Sequence, residues 1–512
     1  MRVALKSLLA NLDVALVSGH SRYPSESPFH PPELYPEYPH EEKATDPANH
    51  VYAMARDSFR LLGMDKTRFG LSEWNPLGQL ISPRQRVLIK PNFVLHFNAG
   101  QGPLDAVITH PSVIRAICDY VVIALGEGGE LVIGDAPQMN CDFAELCRAS
   151  GMDVLAKYLE SACARRGIAF GLVDFRQEQT RYKYGIVWER KALNNRGSVR
   201  VRLGENSFME PIDGRLLYGA DYTRRETVRA HADHHHEYVV ARHVLASDVV
   251  ISMPKLKVHR KVGTTLNLKN IVGINTDKNH LAHYRIGSPA GGGDEFSDPR
   301  WDDRAERVLS DLLLGRNWRF GKYPFLAWRA FRKALGYFLD NSARPAFSYG
   351  NWHGNDTAWR MVLDLNRILL FADAEGRVQD IPARRYFSVI DGVIGGEGEG
   401  PLHPTAYRSG VVLAGFNPLA VDMVATRLMG FDAGYIPLYC HALDQVREWI
   451  PDFAVEAIRV LSNIASWERI LKTSEVVFSF RASAGWRGKI ELEESAQESA
   501  PQEETSVGIL SQ

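Results

Sequence analysis

Lysine, histidine and asparagine crowd one short stretch: Lys255, Lys257, His259, Arg260, Lys261, Thr264, Thr265, Asn267, Lys269 and Asn270. Ammonium groups at this density can hold phosphate or carboxylate oxygens as point charges, and the amides and hydroxyls between them add hydrogen bonds. A solvated basic face is the plain alternative. The interleaved Leu256, Val258, Leu266, Leu268 and Ile271 argue against wholesale exposure. The stretch lacks the G-x-x-x-x-G-K-[ST] spacing of a phosphate loop, so nucleoside triphosphate hydrolysis is not indicated.

A second stretch, Asp391 through Pro401, sets Glu397 and Glu399 among glycines. Glycines permit close backbone approach and positive φ. Glu397, Glu399 and the later Asp422 are candidate ligands for a divalent cation, or an acid and base; a flexible surface loop is the rival reading. Thr109-His110-Pro111-Ser112 reads as a helix start, with Pro111 in the first turn. Free backbone N–H groups there favour an anion, and His110 is available for proton transfer. The histidines His231, His234, His235, His236 and His243 invite a metal reading. Adjacent residues point in different directions, however, and a solvent-exposed helix is the expectation.

These residues need elements to position them. Five short apolar runs read as buried strands: Val87–Ile89, Leu131–Ile133, Val249–Ile251, Phe387–Ile390 and Val411–Ala414. A helical segment, Ser112–Leu125, separates the first two and makes a βαβ unit. Continuous Val/Ile/Leu runs are those of parallel strands buried on both faces. The polar residues come immediately after the strands: Lys90 and Asn92, Asp135, Lys257 and His259, then Asp391. Open α/β sheets bind ligands outside the carboxyl ends of their strands, so one shared sheet would bring these residues to one edge. The alternative is that each merely starts a turn. The predicted catalytic set is His110, His259, Asp135 and Asp391. The predicted anion-binding set is Lys90, Asn92, Lys255, Lys257, Lys261, Lys269 and Asn270.

The 512 residues leave room for two to three domains. The expected division is an irregular arm and helix (1–83), a first α/β part (84–300), a helical insertion or second lobe (301–349), a second α/β part (350–490) and a disordered acidic tail (491–512). With 60 Lys and Arg against 61 Asp and Glu, the net charge of -1 gives no reason to expect nucleic acid. Five cysteines without a C-x-x-C pair encode no zinc ribbon or ferredoxin cluster and suit a reducing cytoplasm. Residues 1–19 lack a clear cleavage site, and no apolar run approaches a membrane span. The arm Ser21–Pro39 should pack its aromatics on the body. The segment Tyr323–Leu339 reads as an amphipathic helix covering the core, with peripheral membrane contact as the alternative.

Taken together, Ile89-Lys90-Pro91-Asn92, Thr109-His110-Pro111, Gly134-Asp135, Pro254 to His259, Leu268 to Ile274, Asp391 to Pro401 and Ala420-Val421-Asp422 resemble the domain of unknown function 362 family. The resemblance runs from about Arg84 to Gly430. Many members also carry a ferredoxin-like cysteine module, which this chain lacks, so the resemblance implies no iron–sulfur cluster here. The leading expectation is an enzyme acting on a phosphorylated or carboxylated small metabolite, with a divalent metal as a possible cofactor. Two rivals remain: a non-catalytic redox partner or accessory binding protein, and a membrane-surface protein of envelope or polysaccharide biosynthesis docking through Trp328, Phe331 and Tyr337.

Overall fold

The structure, a computed structural model, describes residues 2–184, 186–193, 197–219, 223–297, 305, 308–310, 312–313, 318–338, 347–445 and 453–492. Residues 493–512 of the expected disordered tail and Tyr337's side chain lie outside them. All five predicted strands form and share one 11-stranded sheet. In chain order its strands are β1 (Asp13–Ser18), β2 (Arg86–Pro91), β3 (Glu130–Asp135), β4 (Ala169–Asp174), β5 (Val249–Met253), β6 (Lys255–His259), β7 (Gly263–Thr264), β8 (Arg385–Glu399), β9 (His403–Tyr407), β10 (Val411–Gly415) and β11 (Arg459–Ser462). Across the sheet the order is β11-β1-β10-β8-β5-β2-β3-β4. From β8 through β5, β2 and β3 to β4 every neighbour is parallel. The fold is α/β, with a largely parallel sheet between flanking helices.

Side chains alternate across the sheet with the period of two that a strand imposes. Val87 and Ile89, Leu131 and Ile133, Val249 and Ile251 enter one apolar layer. Leu88, Val132 and Val250 enter the other. On the first side lie α1 (His50–Leu61), α2 (Pro111–Leu125) and α3 (Met152–Ala164). The second side is covered by the short α4 (Asn267–Asn270), then α6 (Ala358–Phe371) and α7 (Pro418–Leu428). Between them in sequence runs α5 (Trp318–Phe338). Both faces need cover, which is why the strands read as unbroken apolar runs.

Two expectations about layout are corrected. β10 runs antiparallel to β8, Val411 facing Gly392 and Gly415 facing Ser388. Its carboxyl end, with Asn417 and Asp422 beyond it, therefore points away from the edge that holds Asp391. The N-terminal stretch is not merely an arm, because β1 lies inside the sheet between β10 and β11. One sheet thus draws on the arm and on both α/β parts.

Candidate functional site

The edge where the parallel strands end is built on buried ion pairs. Lys90 closes β2, and its Nζ lies 2.8 Å from Asp135 Oδ1 at the end of β3. The same amine donates to Pro91 O at 2.8 Å and Asn270 Oδ1 at 3.1 Å. An ammonium has three donors, so Lys90 is spent. Asn270 also accepts from Asn92 Nδ2 and donates to Lys90 O and Ser252 Oγ. Asp135 Oδ2 accepts from Phe93 N at 2.6 Å. A Cβ on Gly273 would stand 2.0 Å from Asp135 Oδ1 and 2.7 Å from Lys90 Nζ, so only glycine lets α4's continuation lie against the pair.

A second pair forms where β6 meets β8. Lys255 faces Asp391 in register, and Lys255 Nζ lies 2.9 Å from Asp391 Oδ2. His110 N also donates to Oδ2, at 2.9 Å. Oδ1 accepts from Tyr23 OH at 2.6 Å and Val393 N at 3.3 Å. All four acceptor positions of the carboxylate are then taken, which leaves Asp391 an anchor rather than a free base. Tyr23 also receives a bond from Lys255 Nζ at 2.5 Å and stacks on His110 at 3.9 Å between ring centroids. Burial and the Asp391 charge raise its hydroxyl well above the ordinary range. His110 Nδ1 accepts from Ser112 N at 3.1 Å, capping α2. Burial and Lys255 hold the imidazole neutral.

Lys255, Lys257 and His259 occupy alternate positions of β6 and share one face, while Leu256 and Val258 enter the core on the other. Among the described residues Lys257, Lys269 and Lys278 have no carboxylate ion pair. Lys257 Nζ donates to Val107 O, and Lys278 Nζ to Ala136 O at 2.7 Å. Lys269 makes no side-chain hydrogen bond among the described residues. Each cation also feels the others. Burial, then Lys255 and Lys269, push Lys257 well below its ordinary value. Burial and Lys90 bring Lys269 down to about 8. Burial brings Lys278 down to about 7, with Lys90 and Lys269 adding to it and Asp135 opposing. His259 is held neutral by burial and by Lys269, Lys261 and His283. Its Nδ1 accepts from Lys261 N at 3.1 Å, so Nε2 is the nitrogen left for a ligand. Asn92 Oδ1 is a buried acceptor with no partner. Spare donors, a spare acceptor and a spare imidazole nitrogen thus sit together at one strand edge.

Other predicted residues fall elsewhere. Lys261 sits beside this edge but donates to Tyr349 O. Glu397 Oε1 accepts from Arg481 Nε at 2.9 Å, and Glu399 Oε1 from Ala484 N at 2.7 Å. Asp422 is fully buried on α7 and accepts from Asn267 N, Asn267 Nδ2 and Leu268 N at 2.8–2.9 Å. The three carboxylates of the proposed metal set do not converge, and among the described residues no group of three His, Cys, Asp or Glu could hold a metal. The histidine cluster also departs from expectation. Its helix ends at His231, and His231 and His236 are buried while His234 and His235 are exposed. His231 Nε2 is 3.0 Å from His280 O, and His236 Nε2 is 2.8 Å from Glu210. Sequence reasoning missed Tyr23, Lys278 and His283. Only Tyr23 had left a signal, in the aromatic content of its arm.

No curated protein matches the chain. One solved structure that does is the crystal structure of a structural-genomics target from Thermotoga maritima. It is 11% identical, with a TM-score of 0.30 over 72% of this chain, and the chain spans only 57% of that protein. The sequence profile described as "Domain of unknown function (DUF362)" matches residues 87–178 and 189–427, more than half of the chain. Those stretches contain Lys90, Asn92, Asp135, β6, α4 and Asp391, and the chain belongs to the domain of unknown function 362 family.

Proposed function

We propose that this edge binds a small molecule bearing phosphate or carboxylate groups, and that the protein is an enzyme acting on it. The observation that carries the reading is the trio Lys257, Lys269 and Lys278, buried or half-buried cations without a carboxylate among the described residues. Buried charge without a paired counter-ion is costly: burial lowers the proton affinity of all three, and neighbouring lysines lower it further. An anion would relieve both. Lys269 offers three unused donors, Lys257 and Lys278 two each beyond their carbonyl bonds. Lys90, Lys255, Asn270, Asp135 and Asp391 serve as the scaffold that fixes the edge. Asn92 Oδ1 would accept from a ligand hydroxyl, and the neutral His259 imidazole would take or give a proton. Among the described residues Glu397, Glu399 and Asp422 do not converge, so no step is assigned to a metal.

A thermal-shift panel of phosphorylated and carboxylated small molecules tests this. A ligand at a hundred times its Kd adds about 2.7 kcal/mol of stability. Lys269→Met, at a half-buried position, should keep the wild-type melting temperature while losing most of the shift given by the best ligand. His259→Asn should keep the shift and lose turnover. A panel without any shift, or an unchanged shift in Lys269→Met, would sink the assignment.

A further inference from the structure

The helix α5 turns its apolar side to water. It is held to the body by Phe325, which is 2% exposed, and by Lys322, whose Nζ donates to Trp188 O at 2.7 Å and lies 4.4 Å from that indole ring's centroid. Arg329 stacks over Phe325 at 5.0 Å. On the opposite side Phe320, Tyr323 and Phe331 are 79%, 67% and 56% exposed. Ala327, Ala330 and Ala334 are exposed with them. At 3.6 residues per turn these six positions fall within an arc of about 100°. The sequence pattern predicts a helix covering the core. Instead the packed side carries Lys322 and Arg329, and the bare side carries rings and methyl groups. A coherent apolar stripe of this kind marks an interaction surface.

The charge of the helix selects the partner. Over its 21 residues it has Arg319, Lys322, Arg329, Arg332 and Lys333 and no acidic residue, in a chain whose net charge is -1. A second copy docked stripe to stripe would bring five cations against five. Nucleic acid would satisfy the charge, but leaves the alanines wet. An anionic lipid surface satisfies both features, because the stripe enters the acyl boundary while the positive charge of the helix as a whole is drawn to the headgroup phosphates. We propose that α5 docks this protein on anionic membranes through Phe320, Tyr323 and Phe331, lying in the interface plane. No helix among the described residues is long and apolar enough to cross a membrane, so the contact is peripheral. It places the strand-edge site near a lipid surface without depending on what that site binds.

Flotation of the full chain with vesicles tests the docking. The chain should float with phosphatidylcholine vesicles containing phosphatidylglycerol and several-fold less with phosphatidylcholine alone. About 0.5 M salt, which shortens the Debye length to a few ångströms, should release most of it. The double variant Phe320→Ser/Phe331→Ser should lose flotation at least five-fold with an unchanged melting temperature, since both rings are solvent-exposed. Absence of flotation with the anionic vesicles overturns the proposal. So does equal flotation of the double variant, or a vesicle-independent dimer that the double variant dissociates.

Discussion

At the scale of residues the decisive distinction is between lysines that are spent and lysines that are not. Lys90 and Lys255 look identical to Lys257 and Lys269 in the sequence, yet the first two are neutralised and bonded while the others face one another. This difference sets a pH dependence. Lys269 sits at about 8 in the native protein and near 10.4 when unfolded. Between those values the unfolded chain keeps a proton that the native state has lost, so the native state gains stability as pH rises through that window. A bound anion reverses the preference by favouring the ammonium. Affinity for the best panel ligand should therefore be highest below about pH 7 and fall as pH rises through 8, by up to about tenfold per unit for each lysine engaged. Calorimetry in buffers of different ionisation enthalpy should show proton uptake on binding near pH 8. Pocket affinity that ignores pH would mean that neither Lys269 nor Lys278 touches the ligand.

Elements explain where the carboxylates went. Asp422 reads as a candidate metal ligand because an acidic residue opens a helix soon after a strand. In the structure β10 runs antiparallel to β8, and Asp422 on α7 accepts the orphan N–H groups at the start of α4. Burial raises its carboxyl to about 7 against the three donors that favour the charged form. Because α4 carries Lys269 and Asn270 to the site edge, Asp422 positions the site at a distance. Asp422→Ala orphans buried donors at about 1–3 kcal/mol each. Chemical denaturation should show a loss of about 3 kcal/mol, and ligand shifts should weaken with it. A fully stable Asp422→Ala would show that α4 holds itself. Pro254 works at the same scale. It cannot donate to a ladder, and the chain breaks there between β5 and β6, with Asp391 N donating to Pro254 O at 2.9 Å. Beyond it β6 pairs with β8 along one edge and with the short β7 along the other.

The whole molecule is a single sheet threaded from distant parts of the chain. β1 joins β10 to β11, and Val14, Ala15, Leu16 and Val17 are buried. Removing residues 2–18 would forfeit about 5 kcal/mol or more from these side chains, against a typical total stability of about 5–15 kcal/mol. Such a truncation should lose its cooperative melting transition and elute as aggregate in size exclusion, with β10 left as an exposed apolar edge. A truncated chain that melts like the full one would make β1 dispensable. The arm and the two α/β parts contribute strands to the same sheet. Neither part closes a sheet without strands from the other.

Taken alone, the sequence determined what depends on near neighbours along the chain. Its five apolar runs named five strands, Pro111 and His110 marked the start of α2, and the motifs from Lys90 to Asp391 marked the family. Alternation in Lys255-Leu256-Lys257-Val258-His259 already argued that this polar stretch is not wholly exposed. Strand direction was not legible, because an apolar run reads the same parallel or antiparallel, and the fate of Asn417 and Asp422 turned on it. Nor was charge pairing: whether Lys90 meets Asp135, Glu397 meets Arg481 or Lys269 meets no carboxylate among the described residues depends on contacts between residues far apart in the chain. The bare side of α5 was hidden for a similar reason. Periodicity shows that a helix has two sides, and only packing against Trp188 decides which of them faces water.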